Sequence, residues 1–395
     1  VTTTRVEVIV TGGGTAGHVL PAIALARALV ASGCAPSAVH FVGARRGIER
    51  RLVPEAGFSL TLLPGRGVER RFNLRNVAAV CGIAAAFAAA LALLVRRRPR
   101  VVVAVGGFGA VACSCAALVL RIPVVVVNVD SVPGAANRLI GRFAKACAVA
   151  FPGTELPRSV LTGAPVRPEV LAVERSAEGR DRSRRNLAVG GDGPLVGIVG
   201  GSLGARRLNG VAVELATRLG GKGAFVYHVC GPRDFAEAQA AAAAAGLADR
   251  GESGYRVVAY EDRLADLFAA ADVVVSRAGA STVAELAVIG TPSILVPLPG
   301  APSDHQRRNT ELLAAAGAAI VVGDDEATGG RLAGEVAALL ADPARREAMG
   351  RAAREVGRPE AAGAVAALVR GVAARQWSGG RAGAPESGPA RQEAT

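Results

Sequence analysis

The feature that most constrains this chain is a device that occurs twice. A short apolar run ends in a cluster of glycines, and a stretch with helical character follows. Near the start, residues 6–10 lead into Thr11-Gly12-Gly13-Gly14-Thr15-Ala16-Gly17-His18, with a helix expected from about Pro21. Much later, residues 195–199 lead into Gly200-Gly201-Ser202-Leu203-Gly204-Ala205-Arg206-Arg207. Consecutive glycines let the backbone turn sharply and approach a ligand closely. The helix that follows presents unpaired amides and the positive end of its dipole, so each unit suits a phosphate. Gly12, Gly14 and Gly17 also fit the G-x-G-x-x-G dinucleotide pattern. No acid follows the second apolar run directly, because Val42 is succeeded by Gly43-Ala44-Arg45-Arg46. That disfavours NAD, and the arginines leave NADP open. Two such units fit two Rossmann-like domains facing across a cleft better than one dehydrogenase domain.

Further β-branched runs lie at residues 39–42, 101–105 and 124–127, and again at 224–229, 257–259, 273–275 and 294–296. Runs of this kind, bounded by Gly or Pro and separated by helical stretches, read as buried parallel strands. The fold class is therefore α/β, with two doubly wound parallel sheets. Residues 175–192 are rich in Arg, Ser, Glu and Gly and mark an exposed linker with a short charged helix. The expected organisation is an N-terminal domain over 1–167, joined by a returning helix at about 358–375, and a second domain over 168–357. Residues 376–395, rich in Gly, Ala, Pro and Ser, are expected to be a disordered tail.

Composition narrows the partners. The 395 residues are 51% hydrophobic and 20% charged, which excludes an intrinsically disordered protein. A net charge of +13 favours phosphate-bearing partners, whether nucleic acid, anionic lipid or nucleotide. One Trp and three Tyr leave little material for stacking on bases, and no helix-turn-helix or RRM pattern occurs, so no nucleic acid is expected. The six Cys show no Cys-x-x-Cys spacing, which argues against a zinc site or disulfide framework. The first residues lack a signal peptide's charged start and cleavage site, so a reducing cytoplasm is expected. Residues 77–95 carry no charge and precede Arg96, Arg97 and Arg98. A buried helix, a helix seated on a membrane surface and a true span all remain open there. Arg70, Arg71 and Arg75 on the other flank would suit anionic headgroups.

Three more segments carry candidate chemistry. Gly106-Gly107-Phe108-Gly109 follows an apolar run, at the end of a strand where ligands bind in parallel sheets. The segment from Ser276 to Glu285 is a small-residue loop entering a helix, with Glu285 placed to accept from two ribose hydroxyls. A Pro-Gly loop carries Asp304, His305 and Gln306, with Asn309 further on, and its amides suit sugar hydroxyls. Of four His, His40 and His228 lie inside strand-like runs and read as core, whereas His18 and His305 lie in ligand-facing loops. No His-Glu-x-x-His or carboxylate cluster argues for a metal.

Taken together, these motifs resemble the MurG family, bacterial N-acetylglucosaminyltransferases that convert lipid I to lipid II in peptidoglycan synthesis. The resemblance runs to about residue 374. It rests on GGGTAGHVLPAIALA (12–26), VGARRGIERRLVPEAGF (42–58), VGGFGA (105–110), TGAPVR (162–167), GGSLGARRLN (200–209), SRAGASTVAEL (276–286) and DHQRRN (304–309). It implies a GT-B fold, with an undecaprenyl-linked lipid I on the N-terminal domain and UDP-GlcNAc mainly on the other. It also implies no cofactor and peripheral attachment to the cytoplasmic face of the inner membrane. Carried over by position, Thr15, Ala16 and Gly17 would border the donor, and Gly13, Gly14, Gly106 and Gly107 the acceptor diphosphate. Arg167 and Ser202 would bind UDP phosphate or nearby groups. Tyr260, Glu261 and Asp262 would form the uracil-reading loop. Ala280, Ser281, Thr282, Val283 and Ala284 would hold phosphate and ribose, Glu285 the ribose hydroxyls and Gln306 the GlcNAc hydroxyls.

The chain departs from the family in one loop. Where the family has His-Glu-x-Asn, this sequence reads Val127-Asn128-Val129-Asp130. In addition, Ala164 stands in the family's Gly-Asn-Pro and Leu203 replaces its usual Gln. The acceptor and the general base are the points affected, with Asp130 beside the donor sugar. Asp130 and His18 are both candidates for the catalytic base. A transferase with another lipid or natural-product acceptor, an NADP oxidoreductase and a non-catalytic UDP-sugar-binding protein are the alternative readings.

Overall fold

The computed structural model describes residues 7–45, 47–64, 75–200, 205–220, 223–247 and 254–379. The expected tail from residue 380 onward, Arg70, Arg71 and Ser202 lie outside the described residues. The first half runs β1 (Val8–Gly12), α1 (Ala16–Ala31), β2 (Val39–Ala44), α2 (Glu49–Glu55), β3 (Ser59–Leu63) and α3 (Arg75–Arg97). It continues with β4 (Val101–Gly106), α4 (Phe108–Val119), β5 (Val124–Asn128), α5 (Ala135–Gly141), β6 (Ala146–Val149) and β7 (Ser159–Leu161). Its seven strands form one sheet in the order β3-β2-β1-β4-β5-β6-β7, all parallel. The strand order reverses direction at β1, which makes the crevice beyond the carboxyl ends of β1 and β4 the natural ligand site.

The second half begins with α6 (Pro168–Ala172) and α7 (Ala177–Asn186). It proceeds through β8 (Leu195–Val199), α8 (Arg206–Gly220), β9 (Phe225–Val229), α9 (Phe235–Ala244), β10 (Tyr255–Val258) and α10 (Leu264–Ala270). Then come β11 (Val273–Ser276), α11 (Ala280–Ile289), β12 (Ser293–Leu295), α12 (His305–Ala315), β13 (Ala319–Val321), α13 (Gly329–Ala341), α14 (Pro343–Val356) and α15 (Ala361–Gly379). Six parallel strands order as β10-β9-β8-β11-β12-β13, again reversing at the glycine-loop strand. Two Rossmann-like sheets with helices on both faces are the GT-B arrangement.

Burial explains which strands the sequence revealed. β4, β5, β8 and β9 are buried along their whole length and read as continuous Val-rich runs. The edge strands β7 and β13 are exposed or half-buried, and their sequences carry no such signature. The strand expected at 257–259 lies earlier, over Tyr255–Val258. Helix α1 starts at Ala16 rather than Pro21, so the proline sits inside the helix.

The linker is pinned rather than loose. Arg175 donates to the carbonyls of Phe268, Ala269 and Ala271 at 2.8, 3.0 and 2.7 Å, closing the C-terminal end of α10. Arg180 pairs with Asp272 at 2.6 Å, and Asp272 also accepts from the Leu195 amide at the start of β8. At the other end of the chain, α15 returns to pack on α1, with Val365 and Val369 fully buried. Helix α3 lies on α4 through Ala86, Ala90, Leu93 and Leu94 and leaves Ala84, Ala85, Ala88, Ala92 and Val95 exposed. No helix among the described residues is long and apolar enough to cross a membrane, so the spanning reading of 77–95 falls away.

A polar network lies beneath the second sheet. His228 is completely buried; its Nδ1 lies 2.6 Å from the Tyr255 hydroxyl and its Nε2 3.0 Å from Asn209 Oδ1. Burial pushes this imidazole down to about 4, so the folded chain keeps it neutral. An unfolded chain protonates it near 6.5, and stability is therefore lost as pH falls from 6.5 towards 4. Denaturant titrations between pH 7 and 4 should show a loss from this residue of about 3 kcal/mol. The loss should be absent in His228→Gln, and equal pH slopes in the two proteins would contradict it.

Candidate active site

The site grows from the two glycine turns that end β1 and β4. They pack backbone to backbone, with the Gly13 amide donating to the Gly106 carbonyl at 3.2 Å. A Cβ on Gly12 would strike that same carbonyl, and one on Gly107 would strike the Gly13 carbonyl. Only glycine allows this approach, because both residues also have positive φ, 141° and 86°. The contact brings together Gly13, Gly14, Gly106 and Gly107, which the sequence placed in separate motifs. His18, in the first turn of α1, lies over Gly106.

Beyond these turns opens a cleft of about 240 Å³. From the first half it is lined by His18, Asn128, Asp130, Asn137 and Arg138, and from the second by Ser303 and His305. Burial pulls the His18 imidazole below its usual 6.5. The charges of Asp130 and Glu49 act against that shift, and His305 adds to it. Ser303 and Asp304 both hold positive φ, 56° and 52°, a strained backbone for side-chain-bearing residues at the turn that delivers His305 and Gln306. Gln306 accepts the Leu298 amide at 3.0 Å, which leaves its NH₂ to donate.

Asn309 ties the halves together. Fully buried on α12, it donates to Asp130 Oδ1 and to the Ala278 carbonyl, both at 3.1 Å, and accepts the Ser131 amide at 2.9 Å. Within the first half, Asn137 donates to Asn128 Oδ1 and Asn128 to the Asp130 carbonyl, at 3.0 and 2.6 Å. The altered loop is thus held by a row of amides.

Helix α11 packs against α1 of the first half. Gly279 precedes it and no side chain caps it. The first amides of a helix have no partner within it, so those of Ala280, Ser281 and Thr282 have the makings of an anion site. Glu285, one turn on, is 4% exposed. Burial raises its carboxyl, and Arg167 opposes this from 3.3 Å. Two residues the sequence assigned to different parts of a nucleotide therefore pair with each other here. Ser281 reaches across to the Gly17 carbonyl at 3.4 Å. That carbonyl is available because Pro21, four residues on, has no N–H to offer it. Arg51 of α2 lies over the Tyr260 ring, 5.7 Å from its centre, giving another contact across the cleft. Glu261 turns away, accepting from the Tyr227 hydroxyl and the Arg263 amide.

Sequence reasoning missed Glu49, Asn137 and Arg138. The acid absent immediately after β2 does exist; it stands five residues beyond the strand and folds back onto the loop. Glu49 Oε1 accepts the Ala44 amide at 2.8 Å and Oε2 the Gly14 amide at 2.9 Å. Glycines at 43 and 47, which leave room for the carboxylate, were its only signal. Among the described residues no cluster of three or more His, Cys, Asp or Glu could hold a metal.

Residues 8–149 match the glycosyltransferase family 28 N-terminal domain, and residues 195–365 its C-terminal domain. The chain is 39% identical over 373 residues to a protein of Clavibacter michiganensis, covering 93% of this chain and 97% of that one. It is 34% identical over 376 residues to one of Desulforudis audaxviator, covering 93% and 99%. Both relatives carry the name UDP-N-acetylglucosamine–N-acetylmuramyl-(pentapeptide) pyrophosphoryl-undecaprenol N-acetylglucosamine transferase. The crystal structure of Acinetobacter baumannii MurG superposes with a TM-score of 0.71 at 29% identity, covering 92% of this chain and 99% of that one.

The cleft's electrostatics are open to direct test. NMR titration of the His18 ring should give a midpoint below 6.5, and Asp130→Asn should move it lower still, since a raising charge is removed. A midpoint at or above 6.5, or an upward shift in the variant, would contradict the assignment.

Proposed function

The chain belongs to the MurG family, within glycosyltransferase family 28, and from that premise we propose that it moves GlcNAc from UDP-GlcNAc to lipid I, forming lipid II. The observation that carries the reading is the arrangement of the cleft. His18 and Asp130 line the cleft from the first half, and the second half brings the N-terminus of α11 to the Gly17 carbonyl, one residue from His18. That is what an inverting displacement needs: a base on the acceptor side and anion stabilisation behind the leaving group.

In this mechanism the α11 amides and Arg167 take the charge developing on departing UDP. Glu285 exchanges Arg167 for the ribose hydroxyls, which frees the guanidinium for the diphosphate. Gln306 donates to the sugar. The acceptor hydroxyl, the MurNAc O4, attacks the anomeric carbon as the bond to UDP breaks, and its proton passes to His18. The imidazole suits this role because burial keeps it neutral near pH 7. Asp130, one oxygen held by Asn309, stabilises the imidazolium that forms. Asp130 would thus supply, two positions along, the negative charge that Asn128 lacks. Cleft closure follows from contacts that already join the halves, and donor binding would tighten them.

The surface near the cleft supports attachment to the cytoplasmic face of the membrane. Leu139 and Phe143 are 46% and 61% exposed on and just after α5, among Arg138, Arg142 and Lys145. Val95, with Arg96 beside it, is likewise exposed at the end of α3. Apolar side chains ringed by cations suit an anionic leaflet. Changing Leu139 and Phe143 to Glu should reduce co-sedimentation with anionic liposomes, and unchanged binding would remove this face from the account.

Purified protein given UDP-GlcNAc and a short-chain lipid I analogue should release UDP and form glycosylated lipid in equal amounts. UDP-GlcNAc binding without any lipid product would overturn the acceptor assignment. His18→Ala should lower kcat by about 100-fold or more, the usual worth of a general base. Glu285→Ala should weaken UDP-GlcNAc binding roughly 10- to 100-fold, as expected for hydrogen bonds to a charged group. Exchanging the loop as Asn128→Glu with Asp130→Asn should recover more activity than Asp130→Asn alone. Equal rates in those two variants would argue against a carboxylate that has changed position.

A further inference from the structure

The first glycine loop holds an anion that belongs to the protein. Glu49 is 1% exposed, and the two amides its carboxylate accepts come from the turn after β1 and from Ala44, the last residue of β2. Gly13, Gly43 and Gly47 surround it, and a Cβ on any of the three would collide with the side chain. Three glycines thus give up side chains to make room for one carboxylate. Burying a charge in this way is costly unless hydrogen bonds compensate, and here two charge-assisted bonds from backbone amides do so. The Gly14 amide is one that a phosphate on this turn would need, and the neighbouring Gly13 amide is already given to the Gly106 carbonyl.

We propose that Glu49 is the resident anion of this loop: it holds the turn that positions His18 and excludes the acceptor's diphosphate from the Gly13–Gly14 amides. The diphosphate then lies elsewhere on the cleft, where Arg138, exposed and among the lining residues, can meet it. The family resemblance assigns these amides to the diphosphate. The kinetic consequences rest on the transferase reading above, whereas occupation of the loop does not. Glu49 also acts on His18 electrostatically, together with Asp130 and His305, the other charged or titratable groups that bear on that ring.

The test begins with the unmodified protein. In ¹⁵N-glycine-labelled protein, inorganic pyrophosphate should leave the Gly14 amide resonance in place at concentrations up to several millimolar. A saturable shift of that resonance would overturn the proposal, whether or not the protein turns over lipid I. In Glu49→Gln the loop loses its charge. Pyrophosphate should then shift the Gly14 resonance and compete with the acceptor at least tenfold more strongly than in the wild type. The acid limb of the kcat/KM profile should move to lower pH, because a charge that raised His18 is gone, and Glu49→Asp should restore it in part. A folded Glu49→Gln with the wild-type pH profile and pyrophosphate sensitivity would reduce Glu49 to a structural support and refute the proposal. If that variant does not fold, the wild-type titration decides alone.

Discussion

Everything in this molecule follows from two parallel sheets covered on both faces. Strands buried in that way have no place for polar chemistry along their length, so it collects where they end. At β1 and β4 the ends are drawn together until the Gly13 amide meets the Gly106 carbonyl, a contact that only residues without Cβ permit. His18 stands over that junction, with its Nδ1 3.4 Å from the Thr15 hydroxyl. The same topology repeats in the second half, where the strand order reverses at β8 and the first turn of α11 reaches the first half through Ser281.

Some of the contacts through which the two halves meet involve candidate site residues. Pro21 leaves the Gly17 carbonyl without its helical partner, and Ser281 of the other half takes it. Asn309 holds Asp130 with one side of its amide group and the loop before α11 through the Ala278 carbonyl. Arg167 and Glu285 satisfy each other across the linker. In the proposed mechanism, donor binding at α11 and acceptor chemistry at Asp130 would be coupled through these contacts. A nucleotide that drew Glu285 away from Arg167 would then change the electrostatics at the junction of the halves.

The sequence showed the central strands and both glycine turns plainly, because complete burial writes itself as unbroken runs of Val. β3, β7 and β13 lie at or next to sheet edges, and β6 is an alanine-rich strand; neither leaves that mark. The start of α1 was misplaced because Pro21 looked like a first-turn residue, whereas its missing N–H is used to free a carbonyl. Thr15, Gly17, Asp130, Glu285 and Gln306 could be assigned from motif resemblance, and of these Asp130 lines the cleft. The pairing of Arg167 with Glu285 was not legible, since 118 residues separate them and no local pattern records it. Glu49 was hidden for a related reason. A carboxylate five residues past a strand looks like an ordinary first-turn helix acid until the chain folds back on it.

The measurement that bears most directly on this account is the NMR determination of linkage and anomeric configuration in the lipid product made from UDP-GlcNAc. The donor's anomeric bond is α. One displacement across the cleft, with a base on the acceptor side only, predicts a β-linked GlcNAc on the MurNAc O4. An α-linked product, or a sugar placed on another hydroxyl, would contradict the division of the cleft into a donor wall and an acceptor wall.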